Sequence, residues 1–583
     1  MCGFFYCYFR DKEIASRSVN FLKKDCSNYI ANRGPSYQEC LFELNTFAYQ
    51  SVLSIQTQEK HTSINQFKNT ESIFLYNGEI YNYDKEFHSS DTNYLISLWK
   101  SNSLEKELTH IDGMFAICFV EKLKSGGILL EAFRDYIGEK HLWYYLDNDV
   151  FMISSVPAVI RKYLSRNSKL EYNIEVLEDY LVRRHLINSN NHSIKGIKQI
   201  LPGSKLSFDS DNWKINTYIV DNPLQYFEPN LYSYQKNKTN DALNEIYSNL
   251  LSNTLIEMED ATPRDSISAS IMSGGIDSSL VSYFLLNENS ERNIYTMLFK
   301  DKDNVSCVVP QLLNASNIDQ KSLNLKQINC NTEIFKEALI SSIDILSAPI
   351  NTHSIPSSYL VAKNAKEDKN IILYGGEGAD ELFLGYSCYF DSRKQSVYNA
   401  MNSNFKFNID LIERVQNGYN QIYINKFRFK VAEYLKDYLT GDELNIKVES
   451  FVDSFIQLNN VGLLSTDTIN SDHGIECRTP FVRKPLIKYA LSNPVRNLLI
   501  NKDNKKLTKY PLNKLFKFYF KQFEVINKSG FAGYPNETIE FLGALNSWHV
   551  WDIFPWAKDS FIKLNRDEKW KLINIEWFLR VCF

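Results

Sequence analysis

Ser273-Gly274-Gly275-Ile276-Asp277-Ser278-Ser279 follows an apolar run and opens a helical pattern. Paired glycines let a backbone pass close to an anion, and the free N–H groups at the start of the following helix attract one. Ser273, Ser278 and Ser279 add hydroxyl donors, and Asp277 is suited to hold Mg2+ against phosphate oxygens. No Gly-Lys-Ser/Thr closes the turn, so it is not a Walker-type loop. An ordinary capped Gly-Gly turn is the bland alternative. A second turn weakens it: Tyr374-Gly375-Gly376-Glu377-Gly378-Ala379-Asp380-Glu381 also follows an apolar run. Two such turns at the C-terminal ends of strands in one parallel sheet face a common crevice, where open α/β sheets bind ligands. Asp380 then shares the metal with Asp277, and Gly376 joins Ser273, Gly274, Gly275, Asp277, Ser278 and Ser279 around one phosphate-sized anion. Glu377 is placed to act as a general base or to orient a nucleophile. The competing reading of these acids is a solvated helix start, where Asp and Glu are favoured.

Elements of the right kind surround these turns. A helical pattern over Ala242–Leu255 precedes the strand Ser266–Met272, which leads into the first turn and the helix Ser278–Leu286. Strands at Ile294–Phe299 and Asn370–Tyr374 follow, so strands and helices alternate and predict a parallel sheet covered on both faces. The first 200 or so residues read differently. Short runs at Ser72–Tyr76, Phe115–Val120, Gly127–Phe133 and Val150–Ser154 predict a β-rich unit, and residues 400–583 read as mostly helical. The polar, aromatic-dotted stretch 211–239 lacks periodicity and reads as a linker between a domain of residues 1–210 and one of residues 240–583.

Composition bounds the rest. A chain of 583 residues needs two or three cores. Net charge is −4 with no long basic stripe, which argues against nucleic acid. No apolar run reaches the ~20 residues that cross a bilayer, and no leader pattern opens the chain, so no membrane partner is expected. Ten cysteines without CxxC pairs suggest reduced thiols and a cytoplasmic setting.

At the two glycine turns the sequence resembles the asparagine synthetase family of class II glutamine amidotransferases. SGGIDSS is similar to that family's pyrophosphate loop and GGEGADELFLGY to its second signature. Ile475–Phe481 resembles the Glu-x-Arg-x-Pro-Phe segment, and Ala348–Pro356 matches more loosely. Lys528-Ser529-Gly530-Phe531 resembles the segment whose lysine contacts the acyl-adenylate, and the ending Lys569–Arg580 resembles a common terminal helix. The resemblance runs from Cys2 to near Phe583. It implies an N-terminal αββα N-terminal-nucleophile sandwich and a C-terminal adenylating α/β domain with a helical end.

The resemblance also implies that Cys2, exposed by loss of the initiator Met, is a nucleophile whose own α-amine is the general base. Asn77-Gly78-Glu79-Ile80-Tyr81-Asn82 is similar to the family's NGEIYN loop, in which Asn77 and Gly78 stabilise the thioester oxyanion. Glu79 and Asp91 would hold the α-ammonium of glutamine. Arg33-Gly34-Pro35 resembles RGPD, with Ser36 in place of the Asp, and Asp112–Ala116 and Arg134-Asp135 match structural segments. One departure stands out: Ser51-Val52-Leu53-Ser54-Ile55 carries Val52 where an arginine that pairs the glutamine carboxylate is expected. Losing a bidentate arginine weakens a carboxylate site unless another donor compensates.

The implied reaction takes glutamine, ATP with Mg2+ and an acceptor acid, aspartate first. A sugar uronic acid or a peptide carboxylate is the rival acceptor. Adenylation with an internal amine, as in a cyclase, is disfavoured because Cys2 and NGEIYN are retained. A non-catalytic scaffold is disfavoured by Asp277, Glu377, Asp380 and Lys528. The assembly state is open, with a homodimer among the candidates.

Overall fold

The computed structural model describes residues 2–583 except 44, 54, 56–71, 184–189, 262–267, 289–290, 300–307, 317, 319–322, 351, 391–408, 503–504, 522, 524–533 and 536. The strand Cys2–Phe9 sets the first layer. Its apolar residues do not alternate with polar ones, because both faces are covered. Phe4 and Tyr6 point into a core between two sheets, while Phe5, Cys7 and Phe9 pack under helices Lys12–Tyr29 and Pro157–Arg166. One antiparallel sheet runs in the spatial order Tyr37–Glu43, Thr46–Val52, Cys2–Phe9, Val150–Ser154, Trp143–Leu146, Lys198–Gln199. The facing sheet runs Lys214–Ile219, Ser204–Asp209, Ile128–Arg134, Gly113–Lys122, Ser72–Ile80. Helix Asp91–Lys100 covers its outer side, completing the expected αββα sandwich.

The second half is built on a parallel sheet in the order Asn324–Cys330, Asn293–Phe299, Ser268–Ile271, Ile372–Tyr374, Glu476–Arg478. The two strands that carry the glycine turns are neighbours, with Ser270 paired to Tyr374. Helices Asn240–Asp260 and Ile276–Glu288 extend a few residues beyond the expected ranges. The edge strand Glu476–Arg478 carries no periodic signal because it is three residues long and buried on every side. Residues 441–472 form one helical stretch with π-helical turns at Asp453–Gln457 and Asn459–Leu463.

The stretch 211–239 holds the strand Lys214–Ile219 and the helix Pro229–Lys236, and buries Tyr226, Phe227 and Tyr232. Its aromatic residues do core work without helical or strand periodicity, packing with Phe455 and Tyr434 of the second half. Buried charge also joins the halves: Lys484 to Asp221 at 2.9 Å, Arg33 to Asp467 at 3.0 Å, and Arg483 to Glu139. Truncating one partner of such a pair strands the other charge, which typically costs about 3–5 kcal/mol. Among the described residues no helix is long and apolar enough to cross a membrane, and nine cysteines are free thiols.

Candidate active site

The two glycine turns meet. A Cβ on Gly376 would lie 2.9 Å from the Ser278 nitrogen and 3.0 Å from the Asp277 Cβ, so only glycine lets the second turn touch the start of helix Ile276–Glu288. Gly274 has φ +81°, a left-handed conformation that glycine adopts without a steric penalty. Ser278 Oγ knits the loop, accepting from the Ser273 nitrogen at 3.1 Å and lying 3.0 Å from Ser273 Oγ. Ser279 Oγ and Asp277 Oδ1 are buried without a hydrogen-bond partner. Buried polar atoms left unpaired cost free energy, and a phosphate and its counter-ion would satisfy them.

Asp277 and Asp380 converge on a residue that sequence reasoning missed. Lys509 Nζ lies 2.5 Å from Asp277 Oδ2 and 2.7 Å from Asp380 Oδ1, which sets those oxygens within about 5 Å of each other. Gly385 admits the lysine, since a Cβ there would lie 2.1 Å from Lys509 Cε. Lys509 is itself left-handed, with φ 46° and ψ 46°, a strained state for lysine. Burial opposes its charge, but the two aspartates outweigh burial and raise its pKa. No local pattern in Thr508-Lys509-Tyr510-Pro511 announces this role; only the tertiary approach does.

Glu377 faces the same crevice with Oε2 unbonded, and burial together with the charge of Asp277 pushes its carboxyl up. The set fits Mg2+: two carboxylates share one cationic point, and the buried Asp277 Oδ1 still has no hydrogen-bond partner. Mg2+ is typically bound by one or two carboxylates plus substrate phosphates. Lys528 lies outside the described residues.

The second centre lies in the sandwich. Cys2, at the start of its strand, is on the face that looks between the sheets, and its nitrogen donates to Asn77 Oδ1 of the facing sheet at 3.2 Å. Asn77 Nδ2 is buried without a partner, as an unused donor. Gly78 is required by strand pairing: a Cβ would lie 2.2 Å from the Met114 carbonyl oxygen. Burial pushes the Cys2 thiol up.

Glu79 and Asp91 are both buried near Cys2. Asp91 accepts from Tyr76 Oη at 2.7 Å and from the Ile80 nitrogen at 3.3 Å. Burial and then the charge of Asp91 push Glu79 well up. Glu476, from the other half, adds a third carboxylate whose charge reaches Cys2, Glu79 and Asp91. Burial opposes its ionisation, but nearby cations including Arg478, bonded at 2.8 Å, hold it at about 2. Such a crowd of buried acids is relieved by a bound cation, and an ammonium group is one.

Val52 sits directly opposite Cys2 in the sheet register, so the position where an arginine is expected borders Cys2. Arg33 is the cation that touches Cys2, through the backbone, with Nε donating to the Cys2 carbonyl at 3.2 Å. The edge strand Glu476–Arg478 lies within electrostatic reach of both centres. The charge of Glu476 reaches Cys2, while the next residue, Cys477, is raised by burial and then by the charge of Glu377.

The chain is similar to two known domain families. Residues 1–219 match the glutamine amidotransferase domain family and residues 263–533 the asparagine synthase family. Asparagine synthetase [glutamine-hydrolyzing] 1 of Bacillus subtilis is 23% identical over 564 residues, covering 88% of this chain and 84% of its own. The asparagine synthetase [glutamine-hydrolyzing] of Rattus norvegicus is 23% identical over 434 residues, covering 66% and 67%.

Proposed function

The chain belongs to the asparagine synthetase family of glutamine-dependent carbon–nitrogen ligases, and from that premise we propose that it hydrolyses glutamine at Cys2 and uses the ammonia to amidate an ATP-activated carboxylic acid, aspartate first among the acceptors. The observation that carries the synthetase reading is the convergence of Asp277 and Asp380, from two separate glycine turns, on one cationic point. In this reading residues 1–210 with the strand Lys214–Ile219 form the glutaminase, 240–583 the synthetase, and the rest of 211–239 joins them.

In the glutaminase half, the α-amine of Cys2, freed of Met1, takes the proton of Sγ as the sulfur attacks the amide carbon. Asn77 Nδ2 and the Gly78 N–H receive the charge on the carbonyl oxygen, and Glu79 with Asp91 hold the α-ammonium. Ammonia leaves, and water then cleaves the thioester.

In the synthetase half, Ser273, Gly274, Gly275, Ser278, Ser279 and Gly376 cradle the phosphates of ATP, and Lys509 adds a cation beside them. Asp277 and Asp380 would hold Mg2+, which when bound neutralises phosphate charge. The acceptor carboxylate oxygen bonds to the α-phosphorus as the bond to the bridging oxygen breaks, releasing pyrophosphate. Ammonia then attacks the activated carbonyl and AMP leaves. Glu377, with its carboxyl pushed up by burial, is suited to take the proton that the nitrogen sheds. Lys528 serves the charge that develops on the acyl-adenylate. Ammonia passes through the protein interior between the two centres, which keeps it away from bulk water. Buried free thiols favour work in a reducing compartment such as the cytoplasm.

The test is pyrophosphate release from MgATP across a panel of carboxylic acids with ammonium supplied directly. Aspartate should give the fastest release, with AMP as the second product. ADP and phosphate in place of AMP and pyrophosphate would overturn adenylation, and a faster uronic acid or peptide would replace aspartate as acceptor.

A further inference from the structure

Arg33 is fully buried and spans the two halves of the molecule. Its Nε donates to the Cys2 carbonyl at 3.2 Å, and its Nη2 donates to Asp467 Oδ1 at 3.0 Å. Gly3 admits it, because a Cβ there would lie 2.8 Å from Arg33 Cδ. Asp467 is held from several sides: the His141 nitrogen donates to Oδ2 at 3.1 Å, Lys140 Nζ lies 3.4 Å from Oδ1, and Ser471 Oγ donates to Oδ1 at 3.3 Å. Burial opposes its charge, but Arg33 and Lys140 outweigh burial and hold the carboxyl at about 2, so it is ionised near neutrality. Asp467 lies on helix Leu464–Asp472, in the same helical stretch that passes Glu377 at Gly462, where a Cβ would lie 4.0 Å from Glu377 Cγ.

We propose that Asp467, a residue of the synthetase half, is a positioning residue for the glutaminase half. It clamps Arg33, and Arg33 fixes the backbone of Cys2 and so the aim of Sγ and of the α-amine toward Asn77. The inference rests on Cys2 being the nucleophile. A residue at the end of a strand frays unless something ties it down, and here the tie is a charge-assisted hydrogen bond to its carbonyl. The planar guanidinium reaches the carbonyl and the carboxylate in one rigid geometry, which a lysine cannot reproduce. Misplacing a reacting group by about 1 Å costs on the order of 100-fold in rate. The glutaminase is therefore complete only when the synthetase helix is docked against it, and the same helix reaches the other centre at Glu377.

The experiment uses Asp467→Asn and Arg33→Lys in the full chain. In either folded variant, kcat for glutamine hydrolysis should fall at least tenfold while KM changes less than twofold. Ammonium-driven pyrophosphate release should stay within twofold of the parent. Alkylation of Cys2 by iodoacetamide, followed on its own peptide, should slow at least threefold as amine-assisted thiolate formation is lost. Unchanged glutamine hydrolysis in folded Asp467→Asn overturns the proposal. So does a parallel loss of both activities in the two variants, which would make the cluster merely structural. Should Asp467→Asn fail to fold, Arg33→Lys decides by the same criteria. A parent chain that hydrolyses no glutamine would remove the glutaminase reading, and the alkylation ratio would then decide this inference, an unchanged ratio sinking it.

Discussion

Lys509 Nζ sits 2.5 Å from Asp277 Oδ2, so the first glycine turn and a lysine 232 residues later in the chain share one buried charge contact. Asp380 joins from the second turn at 2.7 Å, making a centre of two carboxylates around one ammonium. A metal ion and this ammonium compete for the same electrostatic role. In the proposed synthetase reading, MgATP binding redistributes the contacts of Lys509, either toward phosphate oxygens or away from the carboxylates.

Lys509→Met leaves Asp277 and Asp380 facing each other without their cation. The expected outcome is a loss of about 3–5 kcal/mol of stability, the usual cost of stranding a buried charge. Millimolar Mg2+ should restore part of it, because the ion replaces the missing charge. Thermal unfolding with and without Mg2+ measures both; a variant as stable as the parent without added metal would show that the triad carries little energy.

Asp277→Asn and Asp380→Asn keep shape and remove charge. Each should lower pyrophosphate release by orders of magnitude while leaving glutamine hydrolysis within a few-fold. Assaying the two half-reactions separately on one preparation checks this, and near-parental pyrophosphate release would remove both residues from the metal site.

Cys2→Ala should abolish glutamine-dependent synthesis and spare synthesis from ammonium salts, because only the nitrogen source is lost. Full activity with glutamine would mean that the nucleophile lies elsewhere.

Val52 borders Cys2 in the sheet register and supplies no cation. Glutamine should therefore show a KM above the usual micromolar-to-millimolar range, and Val52→Arg should lower it. Steady-state kinetics on the two proteins suffices; tight glutamine binding by the parent would indicate that another residue already pairs the carboxylate.

His192 is buried at the junction of the halves, with Nε2 3.1 Å from the Leu346 carbonyl and Nδ1 accepting from the Ile194 nitrogen at 3.1 Å. Burial lowers its pKa from 6.5 to about 4. Between those values the unfolded chain binds the proton that the folded chain refuses. Stability is therefore highest above pH 6.5 and falls as pH drops toward 4, by up to about 3 kcal/mol from this group. Urea unfolding from pH 7 to pH 4 should show a shallower loss in His192→Gln. Equal slopes for variant and parent would show that His192 does not carry the effect.

The individual strands and the helices that alternate with them were legible where periodicity and turn chemistry agree, the αββα layering followed only from the family resemblance, and the strand order came from the structure. The runs around Phe115 and Val150 and the helices on either side of the first glycine turn lie within a few residues of their expected positions. The edge strand Glu476–Arg478 was not legible as a strand, since three buried residues carry no period. The stretch 211–239 read as a linker because its buried aromatics, Tyr226, Phe227 and Tyr232, follow no helical or strand spacing.

By itself the sequence determined the local chemistry: two glycine turns able to cradle phosphate, the acids beside them, a second-position cysteine and an Asn-Gly pair. Those are properties of contiguous residues, where backbone conformation and donor type are encoded within a few positions. Only the tertiary structure decided that Lys509 stands between Asp277 and Asp380, that Glu476 of one half lends charge to the pocket of the other, and that Asp467 reaches Cys2 through Arg33. Each joins residues more than a hundred positions apart, and such contacts follow from how packed layers exclude water and force buried charges to find partners, which no local pattern records.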